Sequence, residues 1–207
     1  MHRFAGRLGK GAVPCLLVVL TALSAVLGGC SEAEQRSVPE RQYERIVSMA
    51  PSITELLFAL GVGDRVVGVS RYCHYPQKVE QLERLGGYLD PNYEAIVRLR
   101  PDLVVTVEEH VEARDRLDVF DIATTSVNHK TVAGILASMR SLAATCGVPN
   151  RGDSLASSIE RRMEEIITAT EGRERPSVLL AVGRNLGSGT LEDVYVAADD
   201  GYYSELV

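Results

Sequence analysis

The sequence predicts an α/β fold built on an open sheet whose strands are joined by helical crossovers, and three observations carry that expectation. Residues 45–76, RIVSMAPSITELLFALGVGDRVVGVSRYCHYP, read as strand, turn, helix, turn, strand and an aromatic-rich loop. Short β-branched runs recur at 102–107, 122–127 and 177–182, separated by stretches with helical apolar spacing. Residues 150–170 place Leu155, Ile159, Met163, Ile166 and Ile167 at the spacing of one long helix. Parallel strands joined by a right-handed helical crossover seed such a sheet, and its ligands sit beyond the carboxyl ends of the strands.

The chain begins with a segment set apart from the fold. Arg3, Arg7 and Lys10 precede a largely apolar run over 13–26, then Leu27-Gly28-Gly29-Cys30. Residues 1–29 read as a lipoprotein signal peptide, with the Cys30 thiol as the lipidation site. A transmembrane helix is the competing reading, but the run falls short of the ~20 residues a span needs. Residues 30–43 are polar and without apolar period, as expected for a tether between lipid and domain. The leader holds three basic and no acidic residues, so its removal takes the net charge from −6 to −9. An acidic chain without a basic stripe argues against nucleic acid. Two of the four cysteines fall at Cys15 and Cys30, leaving Cys73 and Cys146 either to pair or to lie buried as free thiols.

Residues 44–148 form the expected N-terminal lobe. Ile46 and Val47 mark its first strand, and Ser52 with Glu55 suggests a capping box opening a helix with Leu56, Leu57 and Leu60 on its apolar face. Gly61 and Gly63 end it, and 66–69 is the second strand. Residues 77–84 suggest an exposed turn or short helix, and 85–89 a return to the sheet or its edge. Asp90 is the expected cap of the next helix, with Pro91 in its first turn. Residues 102–107 are the clearest strand, 111–119 an amphipathic stretch and 122–127 another strand. Thr131 starts a helix that ends near Cys146-Gly147. Residues 149–172 hold the long helix, whose ~20 residues reach about 30 Å, so that it lies against one domain or connects two. Residues 173–207 read as the start of a second α/β lobe, with a strand over 177–182 and a glycine-rich loop over 183–189.

Three stretches together, the run over 45–76, LRPDLVV after a short helix, and VGRNLGSG preceding YVA, resemble the periplasmic binding proteins with a rigid helical backbone. The resemblance covers about 45–207. It implies two Rossmann-like lobes bridged by one long helix, with a ligand in the cleft between them. Relatives of that kind continue beyond Val207, so the second lobe is expected to be incomplete here. The resemblance further implies a monomeric substrate receptor of an ABC importer, working with a permease and its ATPase. Its ligand would be a small-molecule metal chelate: a corrinoid (vitamin B12), which the pattern over 70–76 favours, or a ferric siderophore or haem; the alternative is a truncated lipoprotein remnant that binds no ligand. It would be held at the cell envelope by its lipid, without a cofactor of its own.

The expected ligand residues cluster at strand exits. Pro51 and Ser52 begin a helix whose free N–H groups can bind a carboxylate or amide oxygen, or else are capped by Ser52 and Glu55. Tyr72, His74 and Tyr75 leave the second strand, and Tyr88 lies in the expected return to the sheet over 85–89. In a chain with no Trp, tyrosine has to supply flat contact to a macrocycle, the alternative being that these rings pack their loop onto the lobe. His110 ends the strand over 102–107. His74, His110 and His129, with Glu108 or Glu109, would also suit a bare metal ion, although polar residues in polar loops are the simpler account. Arg184 can clamp a ligand carboxylate. Glu80 matches the family's glutamate that pairs with permease arginines, and Glu205 is its counterpart on the second lobe. The sequence has no GxSxG, HExxH or P-loop, and no enzymatic activity is expected.

Overall fold

The computed structural model describes residues 43–185, 193–198 and 201–207. The signal segment and Cys30 lie outside the described residues, as does most of the glycine-rich loop.

Five strands form one parallel sheet: β1 (Ile46–Ser48), β2 (Val66–Val69), β3 (Glu83–Arg84), β4 (Leu103–Val107) and β5 (Thr124–Val127), in the order β3-β2-β1-β4-β5. The chain steps outward from β1 to β3, then returns to the other side of β1 for β4. That reversal leaves a crevice beyond the carboxyl ends of β1 and β4, where open α/β sheets hold their ligands.

Alternation along the strands divides the core into two layers. Ile46, Leu103 and Val105 face helices α1 (Pro51–Ala59), α4 (Val132–Thr145) and α5 (Pro149–Thr170). Val47 and Val104 face the opposite way, toward α2 (Tyr93–Arg98) and α3 (Val111–Asp118), where Ile96 and Leu117 are fully buried. A side chain every second residue on each face is what a strand covered on both sides requires. The middle strand is pinned where it starts: the Asp102 carboxylate accepts from the backbone N–H of Glu44 at 2.8 Å and of Arg45 at 2.9 Å.

Two expected caps are corrected. Helix α1 starts one residue before Ser52, with Pro51 in its first turn, Ala50 at the cap position and no side-chain cap bond. Proline suits the first helical position because its missing N–H has no intrahelical acceptor there, and this takes Ser52 out of the capping role. In α2 the cap is Asn92, accepting from the Ala95 N–H at 3.0 Å, while Asp90 pairs with Arg71 instead. Gly61 closes α1 at φ +72°, the left-handed conformation that glycine adopts freely, and Arg151 of α5 donates to the Leu60 and Gly61 carbonyls at 3.0 and 3.1 Å.

Helices α4 and α5 pack as an antiparallel pair through Gly152, Ala156 and Ala143, and Arg140 holds Glu160 with bonds of 3.0 and 2.8 Å. The apolar face of α5 is only partly used. Ile166 and Ile167, which continue the helical apolar spacing, are exposed because no described element packs on the last turns. The strand expected over 177–182 is also displaced. It runs over β6 (Ala181–Asn185) and pairs antiparallel with β7 (Asp193–Val196), placing Ala181 opposite Val196. Val178 and Leu179, without a partner strand among the described residues, are exposed. A short helix, α6 (Tyr202–Leu206), follows.

Candidate functional site

Each strand of the parallel sheet delivers a polar or aromatic side chain to its carboxyl edge. Tyr88 follows β3, Tyr72 to Tyr75 follow β2, Pro51 and Ser52 follow β1, His110 follows β4 and His129 follows β5.

The β2 exit is held from inside. Cys73 is buried, its thiol 3.1 Å from both the Thr54 and Ser70 hydroxyls, and the Thr54 hydroxyl lies 2.7 Å from that of Ser48. The Cys73 carbonyl accepts from Arg84. With Cys73 fixed, its neighbours turn outward: Tyr72 is 58% and Tyr75 67% exposed. A tyrosine with most of its ring in water has surface to offer a flat ligand. His74 points along the loop to Glu80, Nδ1 to Oε1 3.2 Å, and Glu80 also takes a bond from Arg84 at 3.0 Å. The hydrogen bond from His74 is the main reason the Glu80 carboxyl lies below its ordinary pKa.

The remaining histidines are engaged separately. Ser52 Oγ and His129 Nδ1 are 3.0 Å apart, joining the exits of β1 and β5. Burial pushes the His129 pKa down, with the Glu109 charge opposing. His110 is 5% exposed and lies under Tyr88, ring centroids 3.8 Å apart. Glu109 faces Lys130 at 3.1 Å. Among the described residues no group of three or more His, Cys, Asp or Glu is arranged to hold a metal ion.

Beside this edge lies a cavity of about 490 Å³ between α1, α4, α5 and α6. Ser52, Glu55, Tyr75, His129 and Tyr202 supply its polar groups, and Leu56, Ile135, Met139, Leu155 and Ile159 its apolar wall. The volume falls within the ~300–1,000 Å³ common for small-molecule pockets. The sequence groups His129 with possible metal ligands and places Ser52 at a helix start, but nothing local to either residue shows that they pair. Tyr202 had no signal at all. The Glu205 carboxylate accepts from the Val132 N–H at 2.9 Å, at the start of α4. Arg184 lies in β6, and its side chain falls outside the description.

Residues 46–207 match the periplasmic binding protein family. A vitamin B12-binding protein of Pectobacterium atrosepticum is 31% identical over 130 residues, 62% of this chain and 47% of that one. An uncharacterised ABC transporter substrate-binding lipoprotein of Bacillus subtilis, YvrC, is 27% identical over 176 residues, 81% of this chain and 54% of its own. Among solved structures, a periplasmic haem-binding protein of Pseudomonas aeruginosa superposes with a TM-score of 0.67 at 25% identity, covering 76% of this chain and 57% of that one. The chain thus spans about half the length of the curated relatives it matches. Sheet order, edge and sequence match agree: the chain belongs to the periplasmic binding protein family.

Proposed function

We propose that the chain carries the ligand-binding edge of a lipid-anchored substrate receptor for an ABC importer, and that its ligand is a corrinoid, with haem or a ferric siderophore as the alternatives. The observation that carries this reading is the convergence of Tyr72, Tyr75 and Tyr88 on one sheet edge, each with a substantial part of its ring exposed. Flat, largely apolar contact with a few polar groups is what a metal macrocycle needs. The relatives named for vitamin B12 and haem support it, and the B. subtilis lipoprotein supports anchoring through Cys30.

In this reading Pro51, Ser52, Tyr72, His74, Tyr75 and Tyr88 face the ligand, with Arg184 on the far side. Helix α5 is the bridge between lobes spanning 44–148 and 173–207. Glu80 is the docking carboxylate for permease arginines, where charge pairs set orientation more than affinity. Glu205 is its counterpart, though within this chain it engages Val132. The test is calorimetric titration with cyanocobalamin, haemin and a ferric siderophore panel. Saturable micromolar binding of one of them identifies the ligand. No heat with any, from a folded chain, rejects the receptor reading for these residues.

A further inference from the structure

His110 is the one residue among those described whose buried side-chain nitrogens, Nδ1 and Nε2, have no hydrogen-bond partner. Burying polar atoms without partners is costly, so the position calls for a reason. It stands at the cap position of α3 yet makes no cap bond there. Its ring meets that of Tyr88 instead, although β3 and β4 are separated in the sheet by β2 and β1.

Tyr88 sits at the tip of a short loop that is closed at its base and open at its end. Arg71 N–H donates to the Gly86 carbonyl at 2.7 Å, Asn92 N–H to the Leu85 carbonyl at 2.8 Å, and Gly86 bridges to Pro91 at φ +87°. Beyond these bonds Leu89 is exposed and Tyr88 is 44% exposed. The Tyr88 ring meets the imidazole at a tilt of 45°, and the part not covered there is open at the ligand edge. Asp90, later in the loop, pairs with Arg71, and among the described residues the Tyr88 ring itself is met only by His110.

We propose that His110 is a positioning residue: its buried neutral ring backs Tyr88 and holds the tyrosine face toward the ligand, and charging the imidazole releases it. This rests on the receptor reading for the ligand but not for the contact itself. An imidazolium has two N–H donors, and neither ring position has an acceptor here. The charged ring must therefore leave its site for water, and Tyr88 loses its support. The charged groups acting on the imidazole are Arg114 on α3 and Glu109 in the turn before it. Burial first, then the Arg114 guanidinium, hold its pKa below the ordinary value, while Glu109 opposes. In the full chain, His110 is thus a group that acts on ligand through Tyr88 rather than by touching it.

Three single variants, one double variant and two readouts decide this. The ligand readout is affinity for cyanocobalamin and haemin between about pH 7.5 and 5, the range where an imidazole charges. Wild type should weaken about tenfold on acidification, the scale of a lost aromatic pair. His110→Phe keeps a flat ring that cannot titrate, and should lose the acid limb whatever its affinity at neutral pH. His110→Ala should weaken binding at neutral pH as much as Tyr88→Ala, and the double variant no further. An acid limb that persists in His110→Phe overturns the proposal, as does a His110→Ala variant with unchanged affinity beside a weakened Tyr88→Ala. The second readout needs no ligand: the Tyr88 ring protons, followed by NMR, should move with the His110 titration. If they stay fixed while His110 charges, the proposal fails even where no probe binds. Absence of binding by itself rejects only the receptor reading.

Discussion

The Ser52 hydroxyl and the His129 imidazole meet at 3.0 Å across 77 residues of sequence. The contact ties the start of α1 to the exit of β5 and gives Ser52 a tertiary partner in place of a cap. Ser52→Ala should therefore leave stability within about 0.5 kcal/mol of wild type, less than the ~1 kcal/mol typical of a lost serine cap. Urea midpoints check this, and a loss near the cap value would restore the capping role.

Asn92 carries the cap that Asp90 was expected to provide. Asn92→Ala should cost about 1 kcal/mol, and Asn92→Asp should recover most of it, because either side-chain oxygen accepts from the Ala95 N–H. Equal losses from Asn92→Ala and Asp90→Ala in thermal melts would contradict the assignment.

Gly61→Ala should destabilise by about 1–2 kcal/mol. The residue is held at φ +72°, where a Cβ is strained, and the added carbon meets the Arg151 guanidinium. Denaturant unfolding reads the loss. Arg151→Ala combined with it should not restore stability, since the backbone strain remains.

Stability should fall in mild acid through the histidines. Burial lowers His110 and His129 below the ordinary 6.5, so the unfolded chain binds protons that the folded chain refuses. Their contribution is complete above pH 6.5 and is lost as pH falls through the lowered values. His110→Phe should flatten its share of that slope in unfolding measured across pH. A stability that rises from neutral pH toward acid would contradict the sign.

Cys73 and Cys146 are free and buried, and burial pushes the Cys146 thiol up to about 11, with Arg65 opposing. Both should resist iodoacetamide in the folded chain and label readily in urea, as mapped by peptide mass. A disulfide, or rapid labelling without denaturant, would refute this.

Apart from β3, which was expected over 85–89 and lies at Glu83–Arg84, the strands and helices of the parallel sheet were legible because their local signals agree with their burial. Leu103 to Val107 is apolar and β-branched and lies inside the sheet, and Thr131 precedes a helix that it does cap. What was illegible depends on pairing over distance. The valines and leucines over 178–182 have the composition of a buried strand, yet the ladder starts at Ala181 because β7 fixes the register. His110 looked like a polar loop residue, and only the crossing of Tyr88 over two strands shows it to be buried. The strand order, and with it the placing of Ser52 against His129, is a property of the assembled sheet that no window of sequence contains.

The Asp102 clamp on Glu44 and Arg45 also has a mechanical meaning. The chain joins the sheet at its middle strand, between β2 and β4, both parallel to it. A pull on the segment before Tyr43 acts along β1 and loads the hydrogen bonds on both its flanks together, in shear. An edge strand pulled crosswise would yield one bond at a time. Any force reaching the domain from its N-terminal side is thus received where the sheet resists it best, and the tyrosine edge at the opposite end of the strands is spared the distortion.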